Sequence, residues 1–257
     1  MAQITPGMRV EARPSPLLLN PRETAVIVVD MQQGFFGLGG AWDRAGVDVA
    51  GAQTILLPLA RTLAAARGVG LPILYLTADF APASGAARLW DAARGEHWMA
   101  LAGTGGAATH GRLLPPGVED GDILPEVAPT PGEMVILKHR FSGFFETPLH
   151  TTLQEHGIGT LVFVGGTTSV CVESTVRDAY FRDYRCLLLA DCTTEPIGHN
   201  LPHTSHDATL RMVEVLFGWV TTSTHFICGL TARASHEQLR RRSRAPRSGA
   251  RESRSNR

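Results

Sequence analysis

Lysine is almost missing from this chain. Of its 24 basic residues, one is a lysine, Lys138, and the rest are arginine. Arginine meets surface charge, but it cannot replace a compact ammonium whose pKa responds to burial. Lys138 is therefore marked as a candidate for a special role. Cysteines are few as well. Cys171, Cys186, Cys192 and Cys228 form no CxxC pair and no dense framework. That excludes a disulfide-stapled secreted scaffold and points to a reducing, cytoplasmic setting. Long hydrophobic runs are absent too. Thr160–Gly166 and Cys186–Ala190 are strand length, far short of the ~20 residues of a membrane helix, so no membrane partner is expected. No N-terminal stretch couples a basic region to an apolar run, and a secretory signal is not expected. Neither a Walker A pattern nor a strand–GxGxxG–helix pattern occurs, so no ATP or dinucleotide cofactor is expected.

What is present suits one full-size α/β domain. The chain has 257 residues, 44 % apolar and 19 % charged, enough to bury a core and too apolar for a disordered chain. The formal charge of zero hides an asymmetry. Residues 1–232 carry 15 basic and 22 acidic side chains, net −7, whereas residues 233–257 carry 9 Arg and 2 Glu, net +7. Three parts follow. Residues 1–22, rich in Pro and Arg, read as an extended arm. Residues 23–232 form the domain, and 233–257 a basic, disordered tail. Nine arginines favour weak, salt-sensitive contact with anions, yet the body carries no nucleic-acid motif, so a nucleic-acid partner is not expected.

Within the domain, apolar runs alternate with helical patterns. Thr24–Asp30, Leu71–Thr77, Met134–Leu137, Thr160–Gly166, Arg185–Asp191 and Gly218–Thr221 read as strands. Helices are expected over Ala50–Arg67, Thr147–His156, Val170–Arg182, Ser205–Phe217 and Ser223–Leu230, with a short one over Ala86–Ala93. The alternation predicts a three-layer α/β/α sandwich around a mostly parallel sheet. The long segment 79–122 is of the kind that covers sites in compact enzymes.

In such sheets, sites lie outside the carboxyl ends of the strands. Three reactive side chains fall there: Asp30 after the first strand, Lys138 after the third, and Cys171 after the fourth. Adjacent strands would bring them together. Free N–H groups at a helix start would lower the Cys171 pKa and could hold an oxyanion. Position alone also allows Cys171 to be a buried filler, Asp30 a cap or ion-pair partner, and Lys138 a loop lysine. Cys186, Cys192 and Cys228 read as packing. His199, His203 and His206 cluster in sequence, but their spacing does not guarantee a zinc geometry and no metal is expected.

IVVDMQQGFF at Ile27–Phe36, the single Lys138, and GGTTSVCVESTVRDAYFRDY at Gly165–Tyr184 occur in an order that resembles the isochorismatase-like cysteine hydrolase family. The resemblance covers about residues 20–230. It implies a Cys171–Asp30–Lys138 triad, with Cys171 as nucleophile, Asp30 as base and then acid, and Lys138 as electrostatic partner. It implies a cis peptide at Gly166–Thr167, and an oxyanion hole from the Thr167 and Cys171 amides. A homo-oligomer, dimeric or tetrameric, and no cofactor are further implications.

KHRFSGFFETPL at Lys138–Leu149, CVEST at Cys171–Thr175 and FGWV at Phe217–Val220 are most similar to the ureidoacrylate amidohydrolase branch. Biuret hydrolases are a related branch. The implied activity is cleavage of a C–N bond in a small ureido or amide substrate through a covalent acyl-enzyme, releasing ammonia or carbamate. Alternatives are biuret or another carboxamide, or a binding protein that keeps the fold. True isochorismatases lack the cysteine nucleophile. One departure stands out: the branch has a tyrosine three residues past the lysine, where this chain has Phe141. Asp79 is followed by FAPASGA, without the paired histidines of the nicotinamidase metal site. Phe35, Trp98, Phe141 and Phe144 are candidates to shape the pocket, and Arg140 to meet a substrate carboxylate. Trp98 and Arg140 read equally well as surface residues.

Overall fold

The computed structural model describes residues 7–44, 46–78, 121–198 and 201–232. The expected helix at Ala86–Ala93, the candidate Trp98, His199 and the tail 233–257 lie outside the described residues.

Six strands form one sheet. They are β3 (Thr24–Val29), β4 (Ile73–Ala78), β5 (Met134–Lys138), β6 (Thr160–Gly166), β7 (Arg185–Thr194) and β8 (Gly218–Thr221). Their order is β5-β4-β3-β6-β7-β8, and every neighbouring pair is parallel. Strands β3, β4 and β6 are buried at every residue. Their continuous β-branched and aliphatic runs suit a sheet covered on both faces. Alternate residues feed two cores. Val26, Val28, Val162, Val164, Leu187 and Leu189 face one. Ala25, Ile27, Val29, Leu161, Phe163, Cys186 and Leu188 face the other. This is the period-two geometry of a strand.

The first core is closed by the helix Ala50–Gly68, which buries Ile55, Leu59, Leu63 and Ala66 on one stripe. Phe226 and Leu230 of a helix over 223–232 join it. The second is closed by the helices Leu149–Glu155 and Glu173–Tyr180, the latter burying Val176 and Ala179. The architecture is thus a three-layer α/β/α sandwich.

Two expectations need correction. The residues read as an extended N-terminal arm include a hairpin, β1 (Met8–Val10) against β2 (Leu17–Leu19). Its alternating Met8, Val10, Leu17 and Leu19 are buried in the first core, and Arg13 forms an antiparallel bridge with Val220 of β8. Proline-rich composition hid a two-residue alternation too short to read alone. Two of the expected long helices are also interrupted. Thr168–Val172 and Val213–Phe217 are π turns, next to the helices Glu173–Tyr180 and Ser205–Met212. Such turns often accompany functional sites.

The chain runs outward from β3 through β4 to β5, then crosses back to β6 and proceeds through β7 to β8. The reversal falls between β3 and β6. A doubly wound sheet has its crevice at that point, outside the carboxyl ends of the two strands.

Candidate active site

Asp30 directly follows β3 and adopts a left-handed backbone, φ 51°. That conformation is uncommon for a residue with a side chain and clusters at functional sites. Its amide donates to the Leu76 carbonyl of β4 at 2.9 Å. The end of β6 comes close on the other side. A Cβ on Gly165 (φ 111°) would lie 2.2 Å from the Val29 carbonyl oxygen, so only glycine permits that approach. The peptide Gly166–Thr167 is cis. The π turn begins next, with Cys171 inside it. The Thr167 carbonyl accepts from the Val170 and Val172 amides at 3.2 and 3.1 Å.

Lys138 ends β5, which does not neighbour β3; β4 stands between them. The three groups therefore do not meet through adjacent strands alone. The register partner of Lys138 is Ala78, a single methyl group, and the long lysine side chain spans the gap. Its Nζ lies 2.7 Å from Asp30 Oδ2 and donates to Cys171 Sγ at 3.5 Å and to the Arg140 carbonyl at 3.1 Å. Lys138 is fully buried, and Asp30 and Cys171 are nearly so. The three residues thus converge at the strand ends, as their positions in the sequence anticipate.

Burial sets the protonation states. It raises the Asp30 pKa, and the Lys138 charge only partly opposes it. Burial works to lower the Lys138 pKa, but Asp30 and Cys171 more than offset it, and the ammonium is held. The Cys171 thiol is pushed well up, first by burial and then by the Asp30 charge, against the pull of Lys138. Here the expected lowering by a helix start fails. Cys171 sits buried within the turn, and burial is the largest influence on its pKa. Lys138 Nζ thus sits between the Asp30 carboxyl and the Cys171 sulfur, the one cationic group among three buried titratable side chains.

The other candidates scatter. Phe141 is half-buried and touches both cores, which places it at the sheet's end. Arg140 is half-buried, its Nη1 donating to the His139 carbonyl. Phe35 is buried in the first core, edge-on to Trp42 at 4.9 Å. The ring beside the cis peptide is Phe36 instead: a Cβ on Gly166 would lie 2.4 Å from its Cζ. Phe144 packs with Tyr184, His150 and Arg182. Phe144 shares the second core with Cys171, and its neighbour Gly143 donates to Thr175 Oγ1, which in turn donates to the Cys171 carbonyl. A cavity of about 410 Å³ opens at the amino-terminal ends of β4 and β5, lined by Leu71, Ile73, Met134 and Leu153 among others. It holds none of the three converging groups. His206 bonds Thr168 through Nδ1 at 2.9 Å. Among the described residues, no three His, Cys, Asp or Glu side chains are grouped as metal ligands.

Sequence reasoning passed over Gln32. Its buried amide accepts from the Ala78 amide at 2.7 Å and donates to the Ala78 and Gly121 carbonyls at 3.3 and 3.0 Å. Gln32, two residues past Asp30, thereby ties the end of β4 to the chain at Gly121. Gln32→Leu strands these backbone groups and is expected to lower unfolding stability by about 2–4 kcal/mol, read by urea denaturation. An unchanged midpoint would contradict the tie.

Comparison with known proteins follows the same lines. Residues 24–225 match the isochorismatase domain family. The chain is 38 % identical over 225 residues to the ureidoacrylate amidohydrolase RutB of Methylobacterium radiotolerans, covering 86 % of this chain and 84 % of that one. A cysteine hydrolase from Pseudomonas syringae pv. phaseolicola superposes with a TM-score of 0.67 at 26 % identity, over 84 % of this chain and 95 % of that one. The N-carbamoylsarcosine amidase of Thermoplasma acidophilum gives 0.56 at 26 % identity, over 78 % and 96 %. With the domain match spanning the whole sheet and both strand ends that carry Asp30 and Cys171, this chain belongs to the isochorismatase-like hydrolase family.

Proposed function

We propose that the protein is a cysteine-dependent amidohydrolase that cleaves a C–N bond of a small ureido acid, ureidoacrylate-like in class. The carrying observation is Lys138 Nζ held 2.7 Å from Asp30 and 3.5 Å from Cys171 in a buried cluster. A relative with 38 % identity whose name is ureidoacrylate amidohydrolase supports the substrate class.

The cycle has two halves. Asp30 takes the thiol proton as Cys171 Sγ attacks the ureido carbonyl. The Thr167 and Cys171 amides receive the oxyanion. Asp30 then protonates the leaving nitrogen as the C–N bond breaks, leaving a thiocarbamate on Cys171. Water, deprotonated by the same Asp30, releases carbamate, which decays to carbon dioxide and ammonia. Lys138 stays charged throughout and keeps Asp30 ionised in a site that would otherwise favour its neutral form. Phe141, where the branch has a tyrosine, offers no hydroxyl to the substrate. This favours a more apolar contact beside the reacting group and keeps biuret or another carboxamide as the second reading. The four free cysteines fit a cytoplasmic enzyme.

Ammonia release across a panel of ureides and amides tests the reading, with Cys171→Ala beside the wild type. Turnover of a ureido acid, abolished in C171A, is the expected result. Turnover that survives in C171A would overturn it.

A further inference from the structure

Glu195 directly follows β7, and the strand's last residue, Thr194, is the register partner of Gly166. The Glu195 side chain is buried, and a buried carboxylate is costly unless hydrogen-bonded. Three donors meet it. Oε2 accepts from the Ser169 amide at 2.7 Å and from the Ser169 hydroxyl, and Oε1 accepts from the Ile197 amide at 2.9 Å. The preceding residue is tied to the same strand end: Thr168 Oγ1 donates to the Thr194 carbonyl at 3.0 Å. Two consecutive residues of the π turn are therefore fixed to the end of β7. Ser169 stands midway between Thr167 and Cys171, two residues from each.

We propose that Glu195 is a positioning residue that holds the π turn so that the Thr167 and Cys171 amides meet the oxyanion; this rests on the cysteine-hydrolase reading above. Both of its oxygens are engaged by the chain's own donors, so it acts through the turn and not on the substrate. Glutamine is a poor replacement. It turns one acceptor oxygen into a donor that opposes the donors it faces.

The test compares two reactions of Cys171 in the full-length protein, with the labelled residue located by mass spectrometry. Acylation by p-nitrophenyl acetate forms the S–C bond and breaks the ester C–O bond. The thiol proton passes to Asp30 and p-nitrophenolate leaves, by way of an oxyanion. Alkylation by iodoacetamide forms an S–CH₂ bond, expels iodide and passes the same proton to Asp30, with no oxyanion.

In Glu195→Gln, acylation is expected to fall about 10²-fold, the cost of a misplaced oxyanion donor, while alkylation keeps its wild-type rate. Ser169→Ala keeps the amide bond and loses the hydroxyl bond. It should show a smaller loss with the same selectivity, and it carries the test should E195Q not fold. Equal loss in both reactions would mean that Glu195 serves the thiol or the fold, and no loss in either would mean that it serves neither; both results overturn the assignment. A wild type that is alkylated but never acylated at Cys171 would instead contradict the hydrolase reading, and the assignment with it.

Discussion

Asp30→Asn is expected to lower kcat/KM by about 10⁴-fold, at the upper end for a positioned acid–base group. The substitution keeps the shape of the side chain and removes its basicity. Burial raises the thiol pKa, and in the proposed cycle Asp30 is the group that takes the thiol proton as the sulfur attacks. The pH profile carries a second signature. The proposed cycle needs Asp30 ionised, and burial raises its pKa above the ordinary carboxylate range. Activity should therefore fall on acidification through a limb lying above that range, and D30N should lack the limb. A profile that keeps it in D30N would assign the limb, and the base, to another group.

Lys138→Met is expected to destabilise the protein by about 3–5 kcal/mol near neutral pH, the usual cost of leaving one member of a buried ion pair unpaired. The pair is 2.7 Å apart, with its side chains 0 % and 3 % exposed, so solvent does little to screen the loss. The sign with pH is set by Asp30. Without the ammonium its folded-state pKa rises further above the unfolded value. Stability is then fully present below the unfolded pKa and is lost as pH rises through the folded one. K138M should therefore recover stability on acidification, and its activity limb should move to higher pH. The double variant D30N/K138M removes both charges and should regain most of the stability lost in K138M while remaining inactive. Denaturant titrations at two pH values read the stabilities, and rate–pH profiles read the limb and the loss of activity. Additive losses in the double variant would mean that the two groups do not act as a pair.

The strands were legible because burial on both faces leaves a plain mark. TAVIVVD and TLVFVGG cannot be much else in a chain with turn signals between its apolar runs. The candidate residues were legible because each stands at or within a turn of a strand's carboxyl end, where the sheet order concentrates chemistry. The bridging of β4 by Lys138 was not, since strand order is a property of the whole sheet. Gln32 and Glu195 were missed for a related reason. Their partners lie 46 and 26 residues away, and a buried amide or carboxylate carries no local pattern. The π turn around Cys171 was hidden because its residues suit an α-helix equally well. Phe35 and Phe144, candidates to shape the pocket, are buried in the first and second cores respectively, a division that depends on the packing of the whole sheet.

The central claim is a covalent intermediate on Cys171. The most direct measurement is the intact mass of the protein, quenched in acid during turnover of the best ureido substrate, with C171A as the control. A carbamoyl-sized adduct that maps to Cys171, appears within the first turnovers and is absent from C171A is the predicted result. Sustained turnover with no adduct on Cys171 and undiminished activity in C171A would contradict the account.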